Sequence, residues 1–255
     1  MFFGQSETGE RVSAFVANKA NKYICPGCGA RLILKQGQIN TWHFAHANGT
    51  ECEAFTENKM TTWHLWHQEE FPEECREVRL EDPEYGRTWI ADVKCGPLVI
   101  EFQHSPIDTE TFEERTYFYS QYGRLVWVFD FQEKYERNQI GWWRSRYDKT
   151  TGCFRWDWPN KMLGKYHLLG CGFDVFVQLS PDLYCLIEWN PSGMKYFNGR
   201  RFTHAEFKEY LRNVYRGRFG AGHNLPRRIE YNPMHLFMYN VDDGADGSIY
   251  GCTRP

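Results

Sequence analysis

The chain has 255 residues, a formal net charge of −3 and 42% hydrophobic residues. This composition predicts a globular protein, either one large domain or one domain with a small module, and excludes a disordered chain. The balanced charge excludes nucleic-acid binding by bulk positive charge, so such binding would require local basic patches. No apolar run approaches the roughly 20 residues of a membrane-spanning helix, so we expect no membrane partner.

The start of the chain lacks the basic and apolar regions of a signal peptide. Nine cysteines without such a signal indicate a reducing compartment and favour metal binding over disulfides. We therefore expect a cytoplasmic protein.

A group of metal-ligand residues follows a weakly alternating segment, residues 11–19, that is typical of a strand. The run Cys25-Pro26-Gly27-Cys28 places two thiols on a glycine-containing turn, as in a zinc knuckle. Two predicted strands then lead to three further ligand residues: His43, His46 and Cys52. This pattern predicts one structural Zn²⁺ bound by the three cysteines and one of the two histidines. His46 is favoured because His43 fits the preceding strand, and merely buried cysteines are the alternative.

The segment 57–71 contains no helix breaker before Pro72 and is predicted to be a helix. Its polar residues recur at spacings of four, three and four and form one stripe: Glu57, Thr61, His64 and Gln68. Such a stripe could reach a neighbouring active site, and a solvated face is the alternative. The polar segment 72–86 is predicted to be a linker.

Two apolar runs, residues 89–93 and 98–102, flank a Cys-Gly-Pro break and predict a β-hairpin. Alternation of side chains places Glu101 and Gln103 on one face. A loop of two or four residues over Gly96 would set Asp92 opposite Val99 and diagonal to Glu101 on that face. A buried carboxylate pair needs a compensating partner, and a divalent cation is the natural one. An ordinary solvent-facing sheet is the alternative.

The remaining segments predict further helices and strands. A helix is predicted over 108–123 and a buried strand over 124–131. Further strands are predicted over 154–158, 175–179 and 184–189, the last two as a hairpin that extends the core sheet. A capping box, Thr203 with Glu206, predicts a helix over 203–216. Basic residues dominate 195–228, including Arg212 and Arg216, and form either a phosphate-binding surface or a solvated face.

An Asp, a short loop and Glu-x-Gln resemble the active site of PD-(D/E)XK nucleases, in which Asp and Glu bind Mg²⁺ and a Lys usually occupies the last position. More specifically, residues 9–131 resemble the competence protein CoiA-like family of predicted nucleases. The shared stretches occur in the family's order: G-E-R-V-S-A, Y-I-C-P-G-C-G, H-F-A-H, W-H-L, A-D-V, I-E-F-Q-H-S-P-I, F-E-E-R-T and V-W-V-F.

The resemblance implies a metal-dependent nuclease that hydrolyses DNA with Mg²⁺ or Mn²⁺, in foreign-DNA processing or defence. It implies a site of Asp92, Glu101 and Gln103, with the Phe102 carbonyl as a further metal ligand. It also implies site-lining residues: His64, Arg87, Ser105, Arg115 and Tyr119. Among them, His64 could transfer a proton or contact the DNA, and Arg115 could neutralise charge on the phosphate. Met60, Thr61 and Thr62 stand where many relatives carry a helix glutamate, which leaves Glu57 as the candidate acid.

The expected fold class is α/β (α+β): a PD-(D/E)XK-like mixed sheet flanked by helices, preceded by a small zinc-ribbon-like module. The expected divisions are a zinc module over 1–56, a nuclease core over 57–131, an extension of the core sheet over 132–230, and a peripheral tail over 231–255. A catalytically degenerate, nucleic-acid-binding zinc protein is the alternative function. A zinc scaffold for partner proteins, suggested by Trp142, Trp143, Trp156 and Trp158, and a homodimer also stay open.

Overall fold

The structure is a computed structural model that describes residues 1–47, 52, 61–82, 86, 88–144, 151–156, 173–189 and 196–217. The chain divides into two compact units, residues 1–105 and residues 106–255. None of the helices in the described ranges has the length and hydrophobicity needed to cross a membrane.

The first unit begins with a five-stranded sheet. Its strands are β1 (Phe3–Ser6), β2 (Arg11–Ser13), β3 (Tyr23–Ile24), β4 (Arg31–Lys35) and β5 (His43–His46), in the order β2-β1-β3-β4-β5. In β4, Leu32 and Leu34 are buried and their neighbours are exposed, so one face of the sheet covers a core. The predicted strand over 11–19 is shorter than expected because the amides of Val16 and Ala17 bond back to the Ser13 carbonyl in a turn.

The first unit continues with helix α1 (Thr62–Gln68), a short 3₁₀ helix (Glu73–Cys75) and three antiparallel strands. These strands are β6 (Arg76–Glu81), β7 (Thr88–Cys95) and β8 (Leu98–Gln103), in the order β6-β7-β8. Ile90 of β7 belongs to the same buried cluster as Tyr23, Leu32 and Phe44. The five-stranded sheet and β7 therefore share one hydrophobic core.

Helix α1 is shorter than the predicted helix over 57–71. It begins after Thr61, whose hydroxyl accepts the backbone N–H of His64, and residues 57–60 lie outside the described residues. It ends at Gln68, because the amides of Glu70 and Phe71 bond to carbonyls three residues back, which tightens the chain before Pro72.

The segment predicted as a linker, residues 72–86, contains strand β6, so that prediction is wrong. The two buried residues of this strand are Glu77 and Leu80. One of them is an acid, so the sequence lacks the alternation of apolar and polar residues that would predict a strand. Cys75 and Cys95 form a disulfide that ties the start of β6 to the end of β7. The prediction that the cysteines bind metal and do not form disulfides is therefore wrong for Cys75 and Cys95.

The β7–β8 hairpin is confirmed, but its predicted register is wrong. The pairs are Val93↔Ile100, Lys94↔Val99 and Cys95↔Leu98, so the loop consists of Gly96 and Pro97. Gly96 has φ +51°, the positive value that a two-residue hairpin loop requires. Continuing this register by one residue sets Asp92 directly opposite Glu101 instead of opposite Val99.

The elements of the second unit are α2 (Thr109–Ser120), β9 (Arg124–Asp130), α3 (Gln132–Glu136), β10 (Ile140–Arg144), β11 (Thr151–Trp156), β12 (Asp174–Ser180), β13 (Leu183–Trp189), β14 (Tyr196–Phe202) and α4 (His204–Tyr215). Its six strands form a stretch of sheet with the order β10-β11-β14-β13-β12-β9. Strand β12 pairs with β9 in parallel and with β13 in antiparallel orientation, so the sheet is mixed. Helices α2, α3 and α4 pack against this sheet. The predicted fold class, a mixed sheet flanked by helices, is confirmed.

Most of the second unit's predicted elements are present, and two strands were not predicted. The helix before β9, the buried strand β9, the β12–β13 hairpin and the Thr203–Glu206 capping box all occur. Strands β10 and β14 were missed, and β14 falls within the segment where basic residues dominate.

A buried ion pair joins the two parallel strands. The guanidinium of Arg124 donates from Nε to Oδ2 of Asp174 at 2.9 Å and from Nη2 to Oδ1 at 2.5 Å. The two side chains are 2% and 5% exposed. Burial, together with the Asp174 carboxylate, raises the pKa of Tyr210, so this tyrosine stays protonated and can donate a hydrogen bond.

We expect Asp174→Ala to lower the free energy of unfolding by about 3–5 kcal/mol, because it leaves the Arg124 charge buried without its carboxylate. The control is Glu133→Ala, which removes an exposed ion pair with Arg137 and should cost less than about 1 kcal/mol. Urea unfolding of the three proteins measures both effects. Equal, small losses for both variants would contradict a structural role for the buried pair.

Candidate active site and metal cluster

Two carboxylates from neighbouring strands are fixed by backbone hydrogen bonds. The N–H of Asp92 on β7 donates to Oε1 of Glu101 at 3.2 Å, and the N–H of Phe102 on β8 donates to Oδ2 of Asp92 at 2.8 Å. Glu101 is 1% exposed. Each acid therefore accepts a main-chain donor from the opposite strand, which fixes the position of both side chains.

His64 on α1 reaches the same place. Its Nε2 lies 2.8 Å from the carbonyl oxygen of Phe102, and its Nδ1 lies 2.9 Å from the hydroxyl of Thr61. A carbonyl only accepts hydrogen bonds, so Nε2 carries a proton and donates it to the Phe102 carbonyl. The Thr61 hydroxyl can donate to Nδ1 or accept from it.

Gln68 lies one helical turn after His64 and contacts the first carboxylate. Its Nε2 donates to Oδ1 of Asp92 at 3.3 Å, and the side chain is 0% exposed. Within the part of the chain that the structure describes, no group bonds to its buried Oε1. A solvated face is therefore the wrong interpretation for His64 and Gln68, although Glu57 of the same stripe lies outside the described residues.

Aromatic contacts hold α1 against β8. The ring of His67 stacks on Phe102 with centroids 4.6 Å apart and an interplanar angle of 17°. The ring of Trp63 meets His64 and Phe102 edge to face, at 5.1 and 5.8 Å. This packing fixes the helix face from which His64 and Gln68 extend.

Gln103 ends β8 with a buried amide. Its Nε2 donates to the carbonyl of Ser105 at 2.5 Å, and the side chain is 1% exposed. The structure thus brings Asp92, Glu101 and His64 together around Phe102. Gln103 lies two residues after Glu101 on β8, and its amide bonds to the main chain of Ser105.

Glu77 is a third buried acid beside the pair, and the sequence analysis missed it because it lies in the segment predicted as a linker. The pairs Arg76↔Val93 and Val78↔Ala91 set Glu77 opposite Asp92. Burial raises the pKa of Glu77 and the charge of Asp92 raises it further, whereas the amino group of Met1 opposes the shift. Its carboxylate accepts the amides of Phe2 and Phe3 at 2.7 and 3.0 Å. Asp92 therefore has a buried acid opposite it on each neighbouring strand, Glu77 on β6 and Glu101 on β8.

Four metal-ligand side chains of the five-stranded sheet form a compact cluster. The ligand atoms of Cys25, Cys28, His46 and Cys52 all lie within 4.8 Å of one another. His43 lies outside this group, and its Nδ1 is 2.7 Å from the carbonyl of Thr41. The structure therefore favours His46, and the cluster could hold a metal ion.

The chemistry of this cluster fits a cation. Burial raises the pKa of Cys25, and burial with the neighbouring thiols raises the pKa of Cys52 to about 12. Burial lowers the pKa of His46, which favours the neutral imidazole that binds metals. Without a cation, thiolates at this site would be unfavourable, and three thiolates with one imidazole are a donor set typical of Zn²⁺.

Four other predicted site residues lie in the second unit. Arg115 is 6% exposed and its guanidinium lies 5.7 and 5.5 Å from the ring centroids of Tyr119 and Trp127. Tyr119 is fully buried. Arg212 and Arg216 are exposed on α4 and lie 2.7 and 4.0 Å from the carboxylate of Glu209. Arg87, like Glu57, lies outside the described residues.

Two protein-family models match the chain in the expected order. The N-terminal domain of competence protein CoiA matches residues 7–55, and the nuclease-like domain of CoiA matches residues 90–151. These two matches support a CoiA-family protein. The four residues of the metal cluster lie in the CoiA N-terminal domain, whereas Asp92 and Glu101 lie in the CoiA nuclease-like domain. No curated protein and no solved structure matches the chain.

Proposed function

We propose that this protein is a metal-dependent nuclease of the PD-(D/E)XK type that hydrolyses DNA phosphodiester bonds. The observation that carries the proposal is the pair of carboxylates, Asp92 and Glu101, that accept main-chain N–H groups from each other's strands. The position of this carboxylate pair within residues 90–151, which match the CoiA nuclease-like domain, supports the assignment. Processing of foreign DNA or defence against it is the biological role that we propose.

The oxygens around this pair fit a divalent cation. Mg²⁺ and Mn²⁺ prefer carboxylate and carbonyl oxygens, and Asp92, Glu101 and the Phe102 carbonyl would hold the ion. Two neighbouring carboxylates repel each other when both are ionised, and a cation between them offsets that repulsion. When bound, the cation would polarise the scissile phosphate and favour deprotonation of the attacking water.

The protein's own side chains would orient the reactants. Gln103 would orient the attacking water, because a neutral amide both donates and accepts, and its bond to Ser105 fixes the amide. His64, whose protonated Nε2 faces the Phe102 carbonyl, would position that carbonyl rather than transfer a proton. We retain Glu57 as a candidate acid, and we propose Arg87 and Ser105 as substrate contacts. Arg115 and Tyr119 are buried in the second unit, so we do not propose them as contacts.

The second candidate is a nucleic-acid-binding protein without catalysis. One observation favours it: Gln103 stands where the resemblance places a lysine, and an amide supplies no positive charge to the reaction. This candidate and the nuclease differ in one measurable property, cleavage that depends on the divalent cation.

We also propose that the cluster of Cys25, Cys28, His46 and Cys52 binds one structural Zn²⁺. Four protein ligands leave no open coordination position for chemistry. The buried side chain of Cys25 lies in the core that includes Ile90 of β7. Zinc would therefore stabilise the core next to the strand that carries Asp92.

We expect Asp92→Asn and Glu101→Gln each to lower cleavage at least about 100-fold, the scale of losing one essential charge-stabilising contact. DNA binding should persist, because each change removes a negative charge that repels phosphate. Cleavage of plasmid, linear and single-stranded DNA is measured with Mg²⁺ and with Mn²⁺. Glu81→Gln, at an exposed position on β6, is the control. A parent protein that cleaves none of these substrates would support the binding protein instead.

We expect protein purified without added metal to contain about one zinc per chain. His46→Ala should lower the zinc content and the melting temperature, whereas His43→Ala should leave the zinc content unchanged because His43 lies outside the cluster. Elemental analysis and thermal unfolding measure both properties. A folded parent protein that contains no zinc would contradict the assignment.

We expect the double change Arg212→Glu and Arg216→Glu to weaken DNA binding and to lower the slope of log K against log salt by about two, because two phosphate contacts no longer release counterions. Arg137→Glu, at an exposed position after α3, is the control. Titration at several salt concentrations gives the slope. An unchanged slope for the α4 variant would show that this face is only solvated.

A further inference from the structure

We propose that Gln68 is a positioning residue of the cation site. Its amide nitrogen holds Asp92, and its amide oxygen accepts a hydrogen bond from a water that hydrates the cation. This inference rests on the proposed nuclease function, since it concerns the same site. It adds a residue that the sequence analysis placed on the polar stripe of α1 without a defined role.

The orientation of the Gln68 amide follows from its neighbour. The carboxylate of Asp92 only accepts hydrogen bonds, so the nitrogen of the amide must face Oδ1, which lies 3.3 Å away. The reversed amide would place two oxygens against each other. Oε1 of Gln68 therefore points away from Oδ1 of Asp92.

The oxygen of Gln68 is the observation that points to a ligand. It is buried, and no side chain or main-chain group in the described ranges donates to it. A buried amide oxygen without a donor is unfavourable for folding. Hydration water of a cation would supply the donor, since Mg²⁺ usually keeps several waters when it binds to protein carboxylates.

The position of Gln68 on α1 directs it to this site. His64, one turn earlier on the same helix face, bonds to the Phe102 carbonyl, and Phe102 in turn donates its N–H to Asp92. The helix thus contacts both the carbonyl and a carboxylate that would hold the cation. Such indirect contacts to metal ligands orient the ligands and tune metal affinity.

The neutral charge of Gln68 suits its surroundings. Asp92, Glu101 and Glu77 already place three acids in adjoining strands. An amide adds one acceptor oxygen without adding a fourth carboxyl group, and its nitrogen stabilises the ionised form of Asp92. A glutamate at this position would instead gain attraction for the cation and lose the hydrogen bond to Asp92.

The test measures Mn²⁺ binding to the full chain by titration calorimetry, without chelator so that the cysteine–histidine cluster is undisturbed. Binding at the site is defined as the part that Asp92→Asn abolishes. Gln68→Met keeps the side-chain length and removes both polar contacts, and should weaken this binding about 10–100-fold. The matched control is Gln132→Met, which removes another amide-to-aspartate bond, from Gln132 Nε2 to Asp130 Oδ1 at 3.2 Å, and should leave the affinity unchanged.

A second variant keeps the test informative if the Gln68→Met protein does not fold. Gln68→Glu should bind Mn²⁺ more tightly than the parent, because a carboxylate replaces the amide oxygen, and should be less stable without Mn²⁺. A purely structural role predicts loss of stability in both variants without any change in site affinity. Circular dichroism and thermal unfolding with and without Mn²⁺ separate these effects.

The outcomes separate this inference from the proposed function. If the parent binds Mn²⁺ through Asp92 and cleaves DNA but Gln68→Met binds Mn²⁺ with parental affinity, the role of Gln68 is overturned and the nuclease assignment stands. A folded Gln68→Glu protein that binds Mn²⁺ no more tightly than the parent would also overturn it. If the parent shows no binding that depends on Asp92, both are overturned.

Discussion

The first unit depends on one constraint: two acids, Asp92 and Glu101, occupy neighbouring strands and each accepts a main-chain N–H of the other strand. These bonds fix the carboxylates before any ligand binds, so the two side chains lose little conformational entropy on binding. The contacts of α1 follow from the same arrangement, since His64 bonds to the carbonyl of the residue whose N–H holds Asp92. A like-charged pair fixed in this way is unfavourable alone and favourable around a cation.

Strand β7 connects the two chemical features of the first unit. Ile90 packs in the core that also contains Cys25 of the metal cluster, and Asp92 follows two residues later. A change that loosens the metal cluster would therefore disturb Asp92 and Glu101 through strand β7. The disulfide between Cys75 and Cys95 constrains the same strand at its other end, where it joins the start of β6.

Much of this site could be predicted from sequence, and the errors have physical causes. Alternation and the hairpin break were enough to place Asp92 and Glu101 on one face, but the loop of Gly96 and Pro97 shifts the predicted register. Spacing identified three cysteines and two histidines and favoured His46, and the fold brings His46 but not His43 into the cluster. Glu77 was missed because β6 lacks an apolar pattern, and its position opposite Asp92 depends on strand pairing that no local signal reveals. The Cys75–Cys95 disulfide likewise depends on tertiary proximity.

The central claim is that Asp92, Glu101 and the Phe102 carbonyl bind one divalent cation. The most direct measurement is anomalous X-ray diffraction from crystals of the protein grown with Mn²⁺. The account predicts one manganese peak at about 2.1–2.2 Å from an oxygen of each of these three groups, as expected for a small hard cation with oxygen ligands. Crystals saturated with Mn²⁺ that show no manganese between the two carboxylates would contradict it.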